Sequence, residues 1–183
     1  DVPAYTGDKQ NFIDALEQAL YASKIISYAK GFQLIRAAGN EFGWKFNNAG
    51  IGLMWRGGCI IRSVFLADIT AAFHEKPDLE NLLFYPFFND AIHKAQKQWR
   101  EIVALAVQHG VPTPCFTTAI SFYDGYRSAR LPANLLQAQR DYFGAHTFRV
   151  LEEAATDEHP ANADIHVNWT GHGGNVSSST YIA

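Results

Sequence analysis

Apolar residues step along this chain at intervals of three and four, and that spacing recurs in five separate stretches. The first begins at Asp8, where Phe12, Ile13, Leu16, Ala19 and Leu20 share one face of a helix that Thr6 or Asp8 can cap. Ile25, Ile26, Phe32, Leu34 and Ile35 widen the stripe, so the later turns are expected to bury more than one face among neighbouring helices. From Asn11 to Ala38 this helix would run about 40 Å at roughly 1.5 Å per residue, with Gly39 and Gly43 near its end. Ile61, Phe65, Ile69 and Phe73 predict a second helix that starts near Gly57 and Gly58 and stops before Pro77. Pro86 suits the first turn of a third, in which Phe88, Ile92, Ala95, Trp99, Ile102, Val103 and Ala106 form one stripe up to Gly110. Shorter helices are expected from about Phe116 to Ser128 and from Pro132 to Phe143, with Gly144 at the C-cap.

No strand alternation of useful length interrupts the series, so the fold class is all-α. Residues 1–146 read as a helical bundle domain and residues 147–183 as an extended, irregular C-terminal tail. Thr156 to Asp164 and Gly171 to Thr180 are polar, rich in Gly or Ser and without period. Val167, Trp169 and Tyr181 are costly to leave in water, which suggests that the tail lies along another surface. Asp1 to Gly7 has the Pro- and Gly-bearing composition of an interdomain linker, and a start at Asp rather than Met suggests a fragment.

Composition narrows the class. With 48% hydrophobic residues over 183 positions there is enough apolar surface for one core, which excludes disorder of the whole chain. A net charge of −3, with Lys and Arg spread along the sequence, argues against nucleic acid as a partner. No apolar run approaches the roughly 20 residues of a membrane span, and no signal peptide is visible. Two distant cysteines, Cys59 and Cys115, have neither disulfide-framework nor zinc spacing and no adjacent activating group, so both read as inert thiols in a reducing cytoplasm. The sequons at Asn168 and Asn175 are read as unmodified, because nothing else points to secretion.

Several constellations invite chemistry and do not sustain it. Gly50-Ile51-Gly52-Leu53-Met54-Trp55 opens like a dinucleotide loop, but Trp55 replaces the third glycine and no strand precedes it. The following Trp55 to Cys59 is better read as a place where backbones approach closely between helices. His172-Gly173-Gly174 with Ser177, Ser178 and Ser179 lacks the elbow that exposes a hydrolase serine. His159, His166, His172 and Asp164 lack the rigid spacing of a metal site. Arg140 and His146 bracket the end of the last helix. The arginine can simply complement the helix dipole, but it can also hold a phosphate by a bidentate fork.

Five segments then appear in order: Ala19 to Gly31 (ALYASKIISYAKG), Leu53 to Leu66 (LMWRGGCIIRSVFL), Phe122 to Ser128 (FYDGYRS), Leu131 to His146 (LPANLLQAQRDYFGAH) and Asn168 to Gly174 (NWTGHGG). Together they resemble the 6-phosphogluconate dehydrogenase family over almost the whole chain. The resemblance implies the later portion of the family's helical C-terminal domain plus its tail, without the N-terminal Rossmann domain that binds NADP. It implies a cytoplasmic homodimer that converts 6-phosphogluconate to ribulose 5-phosphate by hydride transfer to NADP and loss of carbon dioxide. By position, Arg140 resembles the arginine that crosses the dimer interface to grip the substrate phosphate, and His146 the histidine beside it. The family's lysine base and glutamate acid fall before this chain, so no catalytic residue is assigned here and the chain alone is expected to be inactive. Lys24 sits in a different motif and reads as a surface or packing lysine. Arg149 to Asp164 is longer than the family pattern, and the ending Tyr181-Ile182-Ala183 differs from tyrosine-asparagine-alanine. The rival readings are a non-catalytic helical dimerisation or interaction module and a helical serine hydrolase.

Overall fold

A computed structural model describes residues 4–169. It is predominantly helical, and the chain divides into two compact units, Asp1–Tyr126 and Arg127–Ala183.

In the first unit α1 spans Lys9–Phe42, 34 residues, and outruns the predicted helix at both ends. Asp8 is the N-cap, its carboxylate accepting from the Asn11 N–H at 2.8 Å, and Gly43 closes the helix in the left-handed region at φ 68°. The inward face is built largely from small side chains, Ala15, Ala19, Ala22 and Ala29, with Ile25, Ile26 and Phe32 between them. Small residues let α1 lie close along α4 (Pro86–Gln108), the helix it contacts most, and that helix contributes Phe88, Ile92, Ala95, Trp99 and Ile102 to the same core. Pro86 occupies the first turn of α4, where a missing N–H costs nothing. Helix α5, Pro114–Tyr126, packs on α1 and α4 and is fastened to α4 by a two-pronged pair from Arg100 to Asp124 at 2.8 and 2.5 Å.

Between α1 and α4 the prediction needs correction. The segment Asn48–Met54 forms a separate short helix, α2, whose N-cap Asn47 accepts from the Gly50 N–H at 2.9 Å. Helix α3 begins only at Leu66 and runs to Glu75. Ile61 keeps the four-residue spacing but lies in a turn and is 41% exposed, because the chain must reverse between α2 and α3 before the helix can start. Cys59 therefore lies in this turn and not in an apolar helix, and Cys115 is exposed at the start of α5; both are free thiols. The tight approach is at Gly52, against side chains of α3, instead of at Gly57 or Gly58. A Cβ at Gly52 would stand 3.0 Å from Thr70 Oγ1 and 3.4 Å from Ile69 Cγ2, whereas at Gly57 and Gly58 it would meet nothing within 4 Å. Gly58 is required for another reason, its φ of 66°. Thr70 donates to the Ala49 and Leu66 carbonyls at 3.3 and 3.0 Å, which ties α2 to α3.

The second unit holds α6, Ala133–Gly144, followed by a return segment. Residues Phe148–Arg149 (β1) pair antiparallel with Asp164–Ile165 (β2), in the register Phe148 to Ile165 and Arg149 to Asp164. A bond from Val150 N to the Ala163 carbonyl extends the ladder at 3.1 Å, and Asn162 N returns to Val150 at 2.9 Å. Buried Val150 sits under this turn. Tyr181, His172 and Ser177 to Ser179 lie outside the described residues.

Candidate functional site

Helix α6 buries only Asp141 and Gly144, so its last turn is organised by a carboxylate rather than by an apolar stripe. The left-handed residue that ends it is Ala145 at φ 50°, not Gly144, which remains helical. Two residues on, Thr147 is also left-handed at φ 63°, a costly conformation for a β-branched side chain. His146 is held between these two bends. Asp141 sustains them: its side chain is 0% exposed and accepts four hydrogen bonds. Oδ1 takes the Thr147 backbone N–H at 2.9 Å and His166 Nδ1 at 2.9 Å; Oδ2 takes the Val167 N–H at 3.0 Å and Trp169 Nε1–H at 2.8 Å. An ionised carboxylate only accepts, so Nδ1 of His166 carries the proton in that contact. Burial alone would raise the Asp141 pKa, but the bonds from Val167, His166, Trp169 and Thr147 outweigh it and hold the carboxyl below the ordinary range.

This clamp brings α6, the β ladder and Trp169 around a cavity of about 620 Å³ that both predicted residues, Arg140 and His146, line. Arg140 is exposed, and its Nη1 donates to Gln137 Oε1 at 2.8 Å one turn earlier. Among the described residues it meets no carboxylate. Arg149, also at the cavity, is paired with Asp164 at 3.4 Å and so carries little net charge into it. The floor includes Trp169, whose ring stands 6.0 Å from that of Phe148. The chemistry offered is therefore a guanidinium that meets no carboxylate among the described residues, with an imidazole six residues on, which suits a phosphate or other oxyanion.

The other candidates separate from this site. His166 is committed to Asp141, His159 lines the cavity, and no group of three or more metal-ligating side chains occurs among the described residues. Gly50 to Met54 lie on α2 and Trp55 caps it, with no strand before it among the described residues, so this stretch is not a dinucleotide loop. No helix among the described residues is long and apolar enough to cross a membrane. Sequence reasoning missed Asp141, although a signal was present. A carboxylate in the last turn of a helix opposes the dipole and needs a compensating set of donors.

A family model described as 6-phosphogluconate dehydrogenase, C-terminal domain, matches residues 2–169. The chain belongs to that family. The relatives it resembles include the decarboxylating 6-phosphogluconate dehydrogenase 1 of Saccharomyces cerevisiae, 72% identical over 96% of this chain and 36% of that protein. The decarboxylating 6-phosphogluconate dehydrogenase of Schizosaccharomyces pombe is 69% identical over 98% of this chain and 36% of its own length. A solved structure of Plasmodium falciparum 6-phosphogluconate dehydrogenase, described as apo and in complex with its cofactor NADP+ and its substrate 6-phosphogluconate, superposes with a TM-score of 0.79 at 38% identity. That match covers 91% of this chain and 34% of the other. The chain thus spans about a third of the length of the dehydrogenases it matches. An all-helical 6-phosphogluconate dehydrogenase C-terminal domain is what the periodicity and the five segments predicted.

Proposed function

We propose that this chain is the helical part of a cytoplasmic, NADP-dependent, decarboxylating 6-phosphogluconate dehydrogenase, and that Arg140 and His146 hold the phosphate of 6-phosphogluconate bound mainly by the neighbouring subunit of a homodimer. The observation that carries this reading is the Arg140 guanidinium, without an ion pair among the described residues, sharing one cavity with His146. A fork of two N–H donors fits a phosphate dianion, and the Asp141 clamp fixes the backbone between the two side chains before any ligand arrives. Support for a partner surface comes from α6 itself, which leaves Leu135, Leu136 and Phe143 exposed at 75%, 59% and 59%.

The described residues do not fit NADP: they include no strand-turn-helix cradle, and the glycines at 50 and 52 are taken up in α2. No hydride or proton transfer step is assigned to them. The chain's part is to bind and orient, and acid, base and hydride acceptor come from elsewhere in the assembled enzyme. We therefore expect the 183-residue chain alone to form no NADPH from 6-phosphogluconate.

The test is kinetic. In a complete dehydrogenase carrying this chain, Arg140→Ala should raise KM for 6-phosphogluconate by about 10- to 100-fold, the worth of a charge-assisted pair of hydrogen bonds, while KM for NADP stays put. An unchanged substrate KM would remove Arg140 from the site.

A further inference from the structure

The turn between α2 and α3, far along the chain from α6, concentrates positive charge. Arg56 follows α2, Gly58 reverses the backbone, and the Arg62 N–H donates to the Cys59 carbonyl at 3.1 Å. Two arginines six residues apart thereby line one cavity of about 430 Å³. Lys24, from the middle of α1, enters it too, with its ammonium 5.9 Å from the Phe65 ring centroid; Ser63 and Val64 complete the lining.

Three features set this cavity apart from an ordinary solvated surface. The first is pairing. Arg36, Arg100, Arg130 and Arg149 each meet a carboxylate, whereas Arg56, Arg62 and Lys24 form no ion pair among the described residues of a chain whose net charge is −3. Like charges held around a concavity repel one another and focus a positive field into it, an arrangement that an anion relieves. The second is Ser63, whose Oγ is buried and has no hydrogen-bond partner among the described residues. The third is the charge nearby. Asp68, in the first turn of α3, does not line the cavity; its charge is felt at the Tyr21 and Tyr85 hydroxyls.

We propose that Lys24, Arg56, Arg62 and Ser63 form a second anion site, for a small phosphate-bearing ligand. Two guanidinium forks and an ammonium match the charge and the oxygen geometry of a phosphate dianion, and the serine hydroxyl supplies one neutral donor. The lining contains no aromatic ring on which a base could stack, so a nucleotide is not the ligand class. The volume exceeds that of bare phosphate and suits a short phosphorylated metabolite.

Inorganic pyrophosphate is the probe, titrated calorimetrically into the full chain carrying Arg140→Gln, so that the α6 cavity is silenced. One saturable site should remain. Adding R56Q and R62Q together should weaken it by at least about tenfold, the loss expected for charged hydrogen bonds, with the helical circular dichroism and melting curve unchanged. Ser63→Ala, which removes a hydroxyl that bonds to nothing among the described residues, should also weaken binding and serves if the double variant melts early. Absence of saturable binding in the Arg140→Gln chain, or binding indifferent to both Arg56/Arg62 and Ser63 substitutions, overturns the proposal. Either outcome leaves the Arg140 reading untouched, because that rests on the substrate KM.

Discussion

Asp141 carries more structural responsibility than either residue beside it in the RDYFGAH run. Its carboxylate sits against the dipole at a helix end, and four donors converge on it from positions 147, 166, 167 and 169. Asp141→Asn keeps the shape, but its amide nitrogen turns N–H toward N–H and leaves buried donors unpaired. We expect a loss of about 2–4 kcal/mol, read as a shift in the denaturant midpoint. The acid limb follows from the direction of the shift. A carboxyl whose folded pKa is depressed stabilises above its unfolded value, about 3.9, and that contribution drains as pH falls through the lower folded value. Wild type should therefore lose stability below about pH 4 more steeply than D141N; parallel acid curves would show that the clamp does not titrate. Arg140 and His146 were legible in the sequence as a pair with fixed spacing. Asp141 was not, because its last-turn position says only that donors are needed, and three of the four come from 25 to 28 residues away.

Elements were legible where a stripe is long and its ends carry chemistry. Asp8 before α1, Gly43 after it and Pro86 at the head of α4 mark boundaries that the backbone obeys. The α2–α3 corner was not legible, since Ile61 and Phe65 continue a helical spacing through residues that belong to a turn. The corner's tightness depends on Gly52. A methyl group there would press on Thr70 Oγ1 and on buried Ile69, neither at the free end of a flexible chain. Gly52→Ala should cost about 1–3 kcal/mol as overpacking and lower Tm by several degrees, with the helix content of the folded state retained. A Tm equal to wild type would mean that α2 is free to shift.

At the scale of the molecule, five segments identified the family, and the predominantly helical architecture agrees with them. The sequence did not reveal the basic cavity at Lys24, Arg56 and Arg62, because three charges in two distant segments become one feature only after α1 passes beside the α2–α3 turn. Self-association belongs at this scale too. If the exposed leucines of α6 meet a second copy, then Leu135→Asp with Leu136→Asp should convert a dimer into a monomer by sedimentation or gel filtration, with helicity kept. A monomer in the unaltered chain, or a dimer in the variant, would direct the search for the partner surface elsewhere.

The β1–β2 pairing has a consequence for how this chain can vary. Phe148 and Ile165 stand opposite one another, so everything between them is an excursion that leaves and returns at a single point. Lengthening such an excursion costs little; a doubling adds about 0.6 kcal/mol of closure entropy. The two feet of this bracket are pinned by the ladder and by the Asp141 carboxylate, which accepts from the Thr147 N–H before it and the Val167 N–H after it. Evolution can therefore rewrite residues 151–161 in length and composition, as a margin for new contacts, without moving the helix end that Arg140 and His146 share.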